Sequence, residues 1–189
     1  MSPPFHTLAA GLKQCVVEIR LGGAAGSGFA WDRDMVVTNA HVVRAGRVEV
    51  RRADGQVLAG KVVVADPARD LTVLEVPGLG LPPVERRDAG TMRPGETLFA
   101  IGHPLGVRHA LSSGVLHAVG PLPEGYPVPP ALRRRVWVQA DLRLAPGNSG
   151  GPLADSEGRV VGINTMIVAG LALAVPIAQV DVLLRRRAA

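Results

Sequence analysis

Apolar residues fall in short runs rich in valine and leucine, and clusters of Gly, Pro, Asp and Asn separate one run from the next. Short, β-branched runs bounded by turn formers read as strands rather than helices. They predict strands over 15–21, 28–31, 35–39, 47–51, 57–64, 71–76 and 97–102, then over 110–118, 136–140, 152–154, 160–165 and 171–175. Turn signals such as Ala53-Asp54-Gly55 and Ser156-Glu157-Gly158 lie between them. Two segments look helical: a short entry turn over 8–14, and 177–187, where apolar spacing ends in arginines. The Pro- and Gly-rich segment 77–96 suits a crossing between two halves, and 120–130 a long surface loop. The pattern is that of an all-β sandwich or barrel.

Composition narrows the class. The chain has 189 residues, 47% of them hydrophobic and 20% charged, which describes a globular protein with a core of its own. Aromatics make up only 3%, so the core rests on aliphatic side chains. The single cysteine, Cys15, permits no intrachain disulfide and reads as a small buried hydrophobe within an apolar run. A net charge of +5 raises the question of nucleic acid. The arginines, however, come in short groups with no aromatics interleaved, and no nucleic-acid partner is expected. No apolar stretch has membrane-spanning character, so no membrane insertion is expected either. Residues 1–6 show no charged leader with an apolar core. The expected location is therefore cytoplasmic if Met1 is the natural start, and exported if the chain is a trimmed piece.

The strongest chemical signal is Pro146-Gly147-Asn148-Ser149-Gly150-Gly151-Pro152-Leu153. A serine flanked by glycines permits a tight turn whose amides converge on one point, as stabilisation of an oxyanion requires. Serine at its ordinary pKa is a poor nucleophile and needs a base. Of the five histidines, His41 ends a β-branched run, a placement that holds the ring rigidly. His6, His103, His109 and His117 lie in blander contexts. Asp70 directly precedes an apolar strand and can turn inward to orient the imidazole, whereas Asp66, before Pro67, looks like a turn former. The order His, Asp, Ser on an all-β pattern differs from the other two common serine-hydrolase orders. No metal or cofactor is implied, since His, Asp and Glu lack ligand spacing.

With those residues placed, the sequence resembles the HtrA (DegP-like) branch of the chymotrypsin-fold serine proteases. The likeness lies in Gly26-Ser27-Gly28-Phe29, Val37 to Val43, Asp66 to Leu74, Ile101-Gly102-His103-Pro104 and Ser113-Gly114-Val115, with Gln139 and Asp141. It continues through Pro146 to Leu153, Gly162-Ile163-Asn164-Thr165 and Ala174-Val175-Pro176. It implies two six-stranded antiparallel β-barrels and a short C-terminal helix. The first barrel would span about residues 12–95, the second about 96–176 and the helix about 177–187 of one domain covering 1–189. It further implies a catalytic set of His41, Asp70 and Ser149, and an oxyanion hole from the amides of Gly147 and Ser149 with Asn148. The substrate pocket maps onto Leu144 and the segment Leu171, Ala172, Leu173, Ala174 to Val175. Aliphatic walls without a carboxylate predict cleavage after small or medium aliphatic residues.

Departures from the family shape further expectations. Members usually carry a PDZ module, and here the chain stops just beyond the protease domain. The loop over 21–27 is short, and of the N-terminal aromatics on which the family's trimers lean only Phe5 is present, so a monomer or weak oligomer is expected. Ala145 stands where Asn is common and Ala172 where Gly is common; a methyl at Ala172 would narrow the pocket or restrain a backbone needing positive φ. Arg143 either faces solvent or gates the pocket. Asn148 replaces the Asp that pairs with a new N-terminus in digestive relatives, so no proteolytic activation is expected. The expected function is a serine endopeptidase acting on unfolded or flexible polypeptides. The alternatives are a latent or non-catalytic peptide-binding module and, third, an esterase.

Overall fold

The computed structural model describes residues 4–188; Met1 to Pro3, part of the segment searched for a leader, and Ala189 lie outside them. After helix α1 (Phe5–Lys13), six strands follow: β1 (Val16–Leu21), β2 (Ala24–Asp32), β3 (Met35–Thr38), β4 (Arg47–Arg51), β5 (Val57–Asp66) and β6 (Leu71–Glu75). A second six are β7 (Thr97–Gly102), β8 (Ala110–Gly120), β9 (Trp137–Asp141), β10 (Pro152–Asp155), β11 (Val160–Val168) and β12 (Leu171–Pro176). Helix α2 (Pro130–Arg133) precedes β9, and α3 (Ala178–Ala188) follows β12. Each set closes into an antiparallel barrel, in the order β1-β2-β3-β6-β5-β4 and β10-β11-β12-β9-β8-β7. Closure leaves neither sheet with a free edge.

Alternation along the strands sorts the apolar side chains into three cores. On β3, Val36 faces the interior of the first barrel with Ile19, Val50 and Leu74, while Val37 faces outward into a core that also holds Phe99 and Trp137. On β7, Leu98 and Ala100 fill the second barrel with Val138, Leu153 and Ala174, while Phe99 and Ile101 join Val37, Leu71 and Val73. The shared core therefore bonds barrel to barrel and also takes in Leu8 and Leu12 of α1 and Val180 and Leu183 of α3.

Two sequence expectations need correction. Residues 24–27 are not loop: β2 begins at Ala24, and Ser27 pairs with Glu18 of β1. The cause is a two-residue turn at Gly22 and Gly23, both at positive φ, which reverses the chain at once. Gly26 within the expected loop and Gly28 at the expected strand start both lie inside β2, where glycine permits close packing. A Cβ on Gly28 would sit 2.9 Å from the Val37 carbonyl oxygen and one on Gly26 2.6 Å from Val42 Cγ1. The other correction is the backbone at Ala172, which is extended within β12 and carries no positive φ. The hairpin before it turns on Ala169 and Gly170, at φ 49° and 85°.

The connection from β6 to β7 crosses the molecule. Val84 N–H donates to Ala30 of the first barrel, and Arg87 N–H and Val160 N–H tie its later part to β11 through Val160 and Glu85 carbonyls. Arg86 stacks its guanidinium 4.2 Å from the Trp31 ring centroid.

Candidate active site

The tight turn after β3 and the turn before β6 meet at one rim of the first barrel. Val42 and Val43 N–H both return to the Asn39 carbonyl, which brings His41 to the surface with its side chain 42% exposed. Asp70 grips it twice. Its Oδ1 accepts from the His41 backbone N–H at 2.9 Å, and its Oδ2 lies 2.7 Å from Nδ1. The ring therefore carries its hydrogen on Nδ1 and presents Nε2 as a proton acceptor. Asp70 takes φ 57°, a left-handed conformation that Asp tolerates better than most residues. Asp66 faces the other way: its carboxylate pairs with Arg69 and accepts the Arg69 N–H, closing the turn. Burial opposes ionisation of Asp66, but the Arg69 hydrogen bonds and charge outweigh it and hold the carboxyl below its ordinary range.

Buried side chains connect this pair to the second barrel. Asn39 Nδ2 donates to the Asp70 carbonyl at 2.9 Å and to Thr165 Oγ1 at 3.1 Å, and Thr165 Oγ1 donates to the Ile163 carbonyl. The Thr165 carbonyl in turn accepts the Ser149 hydroxyl at 3.2 Å. Asn39 and Thr165 thus link the His41–Asp70 pair of the first barrel to Ser149 of the second.

The loop 145–151 places its amides unequally. Asn148 N–H donates to the Ala145 carbonyl, Gly150 N–H to Asn164 and Gly151 N–H to Asn148. Among the described residues, the N–H groups of Gly147 and Ser149 have no protein acceptor. Of the three amides named from the sequence, two are therefore available to an incoming oxyanion and that of Asn148 is spent within the turn. Gly147 and Gly150 adopt φ 105° and 83°, conformations that other residues rarely take.

Beside this loop, Ala172 and Ala174 lie on the face of β12 that joins the second-barrel core, and Leu144 packs against the same core. Leu173 points the opposite way into the shared core, and Leu171 is half-buried. Arg143 is exposed and borders an open depression of about 610 Å³ with Ser112, Ser113, Asp141 and Gly170. A concavity of about 690 Å³ lies between the β1–β2 and β4–β5 hairpins of the first barrel, and none of the candidate site residues lines it.

His103 is almost wholly buried, and desolvation, aided by His109, pushes its pKa down to about 4. Its ring meets that of His109 edge-on at 4.6 Å. Cys15 is half-buried, and burial raises its thiol pKa. Among the described residues no group of three His, Cys, Asp or Glu side chains is placed to hold a metal ion. Sequence reasoning did not assign Asn39, Thr165 or Ser27 a part in the site. Each stands in a stretch that carries the family likeness, but only the fold shows what it touches.

The chain is similar in sequence and in fold to known proteins. A family model described as "Trypsin-like peptidase domain" matches residues 26–163. The putative serine protease HhoB of Synechocystis is 43% identical over 157 residues, covering 80% of this chain and 37% of that protein. A probable periplasmic serine endoprotease, DegP-like, of Pseudomonas putida is 40% identical over 161 residues, covering 80% and 32%. This chain spans about a third of the length of both relatives. Among solved structures, the HtrA-type protease AlgW with tripeptide superposes with a TM-score of 0.85 at 27% identity, covering 97% of this chain and 63% of that one.

Proposed function

Because this chain belongs to the trypsin-like peptidase family and resembles its HtrA-type members, we propose that it is a serine endopeptidase cutting flexible or unfolded polypeptides through an acyl-enzyme on Ser149. The observation that carries this reading is the 2.7 Å contact of His41 Nδ1 with Asp70, a pair linked to Ser149 through Asn39 and Thr165. In the reaction, the Ser149 hydroxyl leaves the Thr165 carbonyl, gives its proton to His41 Nε2 and attacks the peptide carbonyl. The oxyanion is held by the free amides of Gly147 and Ser149, each worth about 3–4 kcal/mol by the usual measure of such donors. His41 then protonates the leaving amine, and water repeats the sequence to release the acid, while Asp70 keeps the ring oriented and offsets its charge.

The segments the family likeness assigns to the substrate pocket offer only aliphatic side chains and no carboxylate: Leu144 is half-buried, and Ala172 and Ala174 are packed in the second-barrel core behind it. Cleavage after Ala, Val or Leu is the expectation, with Arg143 at the rim facing solvent. Phe5 meets Phe99 of its own chain edge-on at 4.8 Å and stays 58% exposed; with this one N-terminal aromatic and a short β1–β2 turn, a monomer or weak oligomer is expected. Among the described residues no helix is long and apolar enough to cross a membrane. The DegP-like relatives are named periplasmic, and an exported location is the reading we adopt over a cytoplasmic one.

One observation favours a second reading, a latent or peptide-holding module: the Ser149 hydroxyl is turned to Thr165 rather than to His41. Incubation with an unfolded protein and mass-spectrometric mapping of the cut sites separates the two. The peptidase reading expects cuts after aliphatic residues that vanish with Ser149→Ala. Equal effects of both proteins on the substrate, with no new termini, would support the module instead, and cuts after Lys or Arg would sink the aliphatic pocket.

A further inference from the structure

Two of the stretches that carry the family likeness, Gly26 to Phe29 and Ile101 to Pro104, take no part in the acid–base steps, yet they meet behind the loop that carries Ser149. Ser27 on β2 is fully buried. Its N–H donates to the Ser149 carbonyl at 2.9 Å and its hydroxyl donates to the Gly147 carbonyl at 2.7 Å. The same hydroxyl accepts from the His103 N–H at 3.0 Å and lies 3.2 Å from His103 Nδ1. A hydroxyl has one hydrogen, and Gly147 takes it, so His103 Nδ1 carries the hydrogen of that second contact. Two residues on, Leu105 N–H donates to the Pro146 carbonyl at 2.9 Å. The segments touch closely, since a Cβ on Gly147 would fall 2.3 Å from the His103 carbonyl oxygen.

In a trans peptide the C=O and the N–H of one plane point in opposite directions. Holding the Pro146 carbonyl therefore aims the Gly147 N–H away from the 103–105 segment. The Ser149 N–H shares its plane with the Asn148 carbonyl, which Gly151 N–H holds at 3.0 Å. Between these two donor planes lies the Gly147–Asn148 peptide, and the Ser27 hydroxyl fixes it from one side while the Asn148 N–H bond to Ala145 fixes it from the other. We infer that Ser27 and His103 are positioning residues for the oxyanion donors: Ser27 anchors the middle plane, and His103 anchors both Ser27 and the strand end from which Leu105 reaches Pro146. Neither touches substrate. The inference rests on the reading of Ser149 as nucleophile.

The test compares wild type, Ser149→Ala, Ser27→Ala, His103→Ala and His103→Asn on one cleavable peptide, with kcat and KM separated and thermal unfolding run alongside. Asparagine places Nδ2 where the imidazole has Nδ1, so His103→Asn keeps the bond to Ser27. Losing a support of the donors acts on the transition state alone, so Ser27→Ala is expected to lower kcat about 10- to 100-fold with KM within about 3-fold. His103→Ala should lose about 10-fold in kcat and His103→Asn recover to within about 3-fold of wild type. If Ser27→Ala does not fold, the His103 pair decides. A wild type no more active than Ser149→Ala overturns the peptidase reading and this inference with it. An active wild type matched by Ser27→Ala and His103→Ala, or a His103→Asn no better than His103→Ala at equal stability, overturns the inference alone.

Discussion

Asp70 holds His41 by ring and backbone together, and the two bonds do different things. The bond to the backbone N–H fixes where the residue sits; the bond to Nδ1 selects the tautomer. Asp70→Asn keeps an acceptor for the first but offers an N–H donor to the second, which favours the wrong tautomer. It is expected to lower kcat by about 10³- to 10⁴-fold while the unfolding temperature stays close to wild type; a loss smaller than about 10-fold would remove the orienting role. His103 makes a prediction about stability. Its folded pKa of about 4 lies below its ordinary 6.5, so the folded state binds fewer protons than the unfolded one between those values. The stability that neutral His103 contributes is complete above pH 6.5 and is lost as pH falls toward 4, by up to about 3 kcal/mol. Urea unfolding at pH 7 and pH 5 should show the fall, and His103→Asn should lessen it; equal pH slopes for both proteins would contradict the assignment.

At the scale of elements, what was legible in the sequence was what depends on short range. Strand β4 reads directly, since buried Val48 and Val50 alternate with exposed Arg47 and Glu49. Strand ends were less visible where a bulge breaks the period. β11 continues to Val168 through a register shift between Asn164 and Met166, and β8 runs to Gly120 through one between Leu116 and Ala118. The candidate site divides in the same way. His41 and Ser149 stand in local motifs, and Asp70 was separable from Asp66 by the strand after it. The partners Asn39, Thr165 and Ser27 were not legible, because their roles depend on which barrel rim faces which. Glycines allow a further test here. Gly95 and Gly147 have similar φ, 90° and 105°, but a Cβ meets nothing within 4 Å at Gly95 and lies 2.3 Å from the His103 carbonyl oxygen at Gly147. Gly95→Ala should cost about 1–2 kcal/mol of stability and leave activity per folded molecule intact. Gly147→Ala should abolish turnover even where the protein remains folded. Comparable kinetics for the two variants would refute the crowding at the nucleophile loop.

The whole molecule depends on the core between its barrels. Phe99 of β7 is fully buried there with Val37, Leu71 and Val73 of the first barrel, and Val84 of the crossing segment joins the same core. His41 and Asp70 come from one side of this core and Ser149 from the other, so the site exists only while the barrels are docked. Phe99→Ala should therefore cost about 3–5 kcal/mol and lower activity together with stability. Wild type should unfold in one cooperative transition; two separate transitions would mean the barrels are independent. The most direct test of the account as a whole is intact-mass labelling with a fluorophosphonate, applied to wild type, Ser149→Ala and His41→Ala. A fluorophosphonate reacts with a serine only where base and oxyanion donors are assembled around it. The account predicts one adduct on wild type and none on either variant; a folded wild type that takes up no label, or labelling that survives Ser149→Ala, would contradict it.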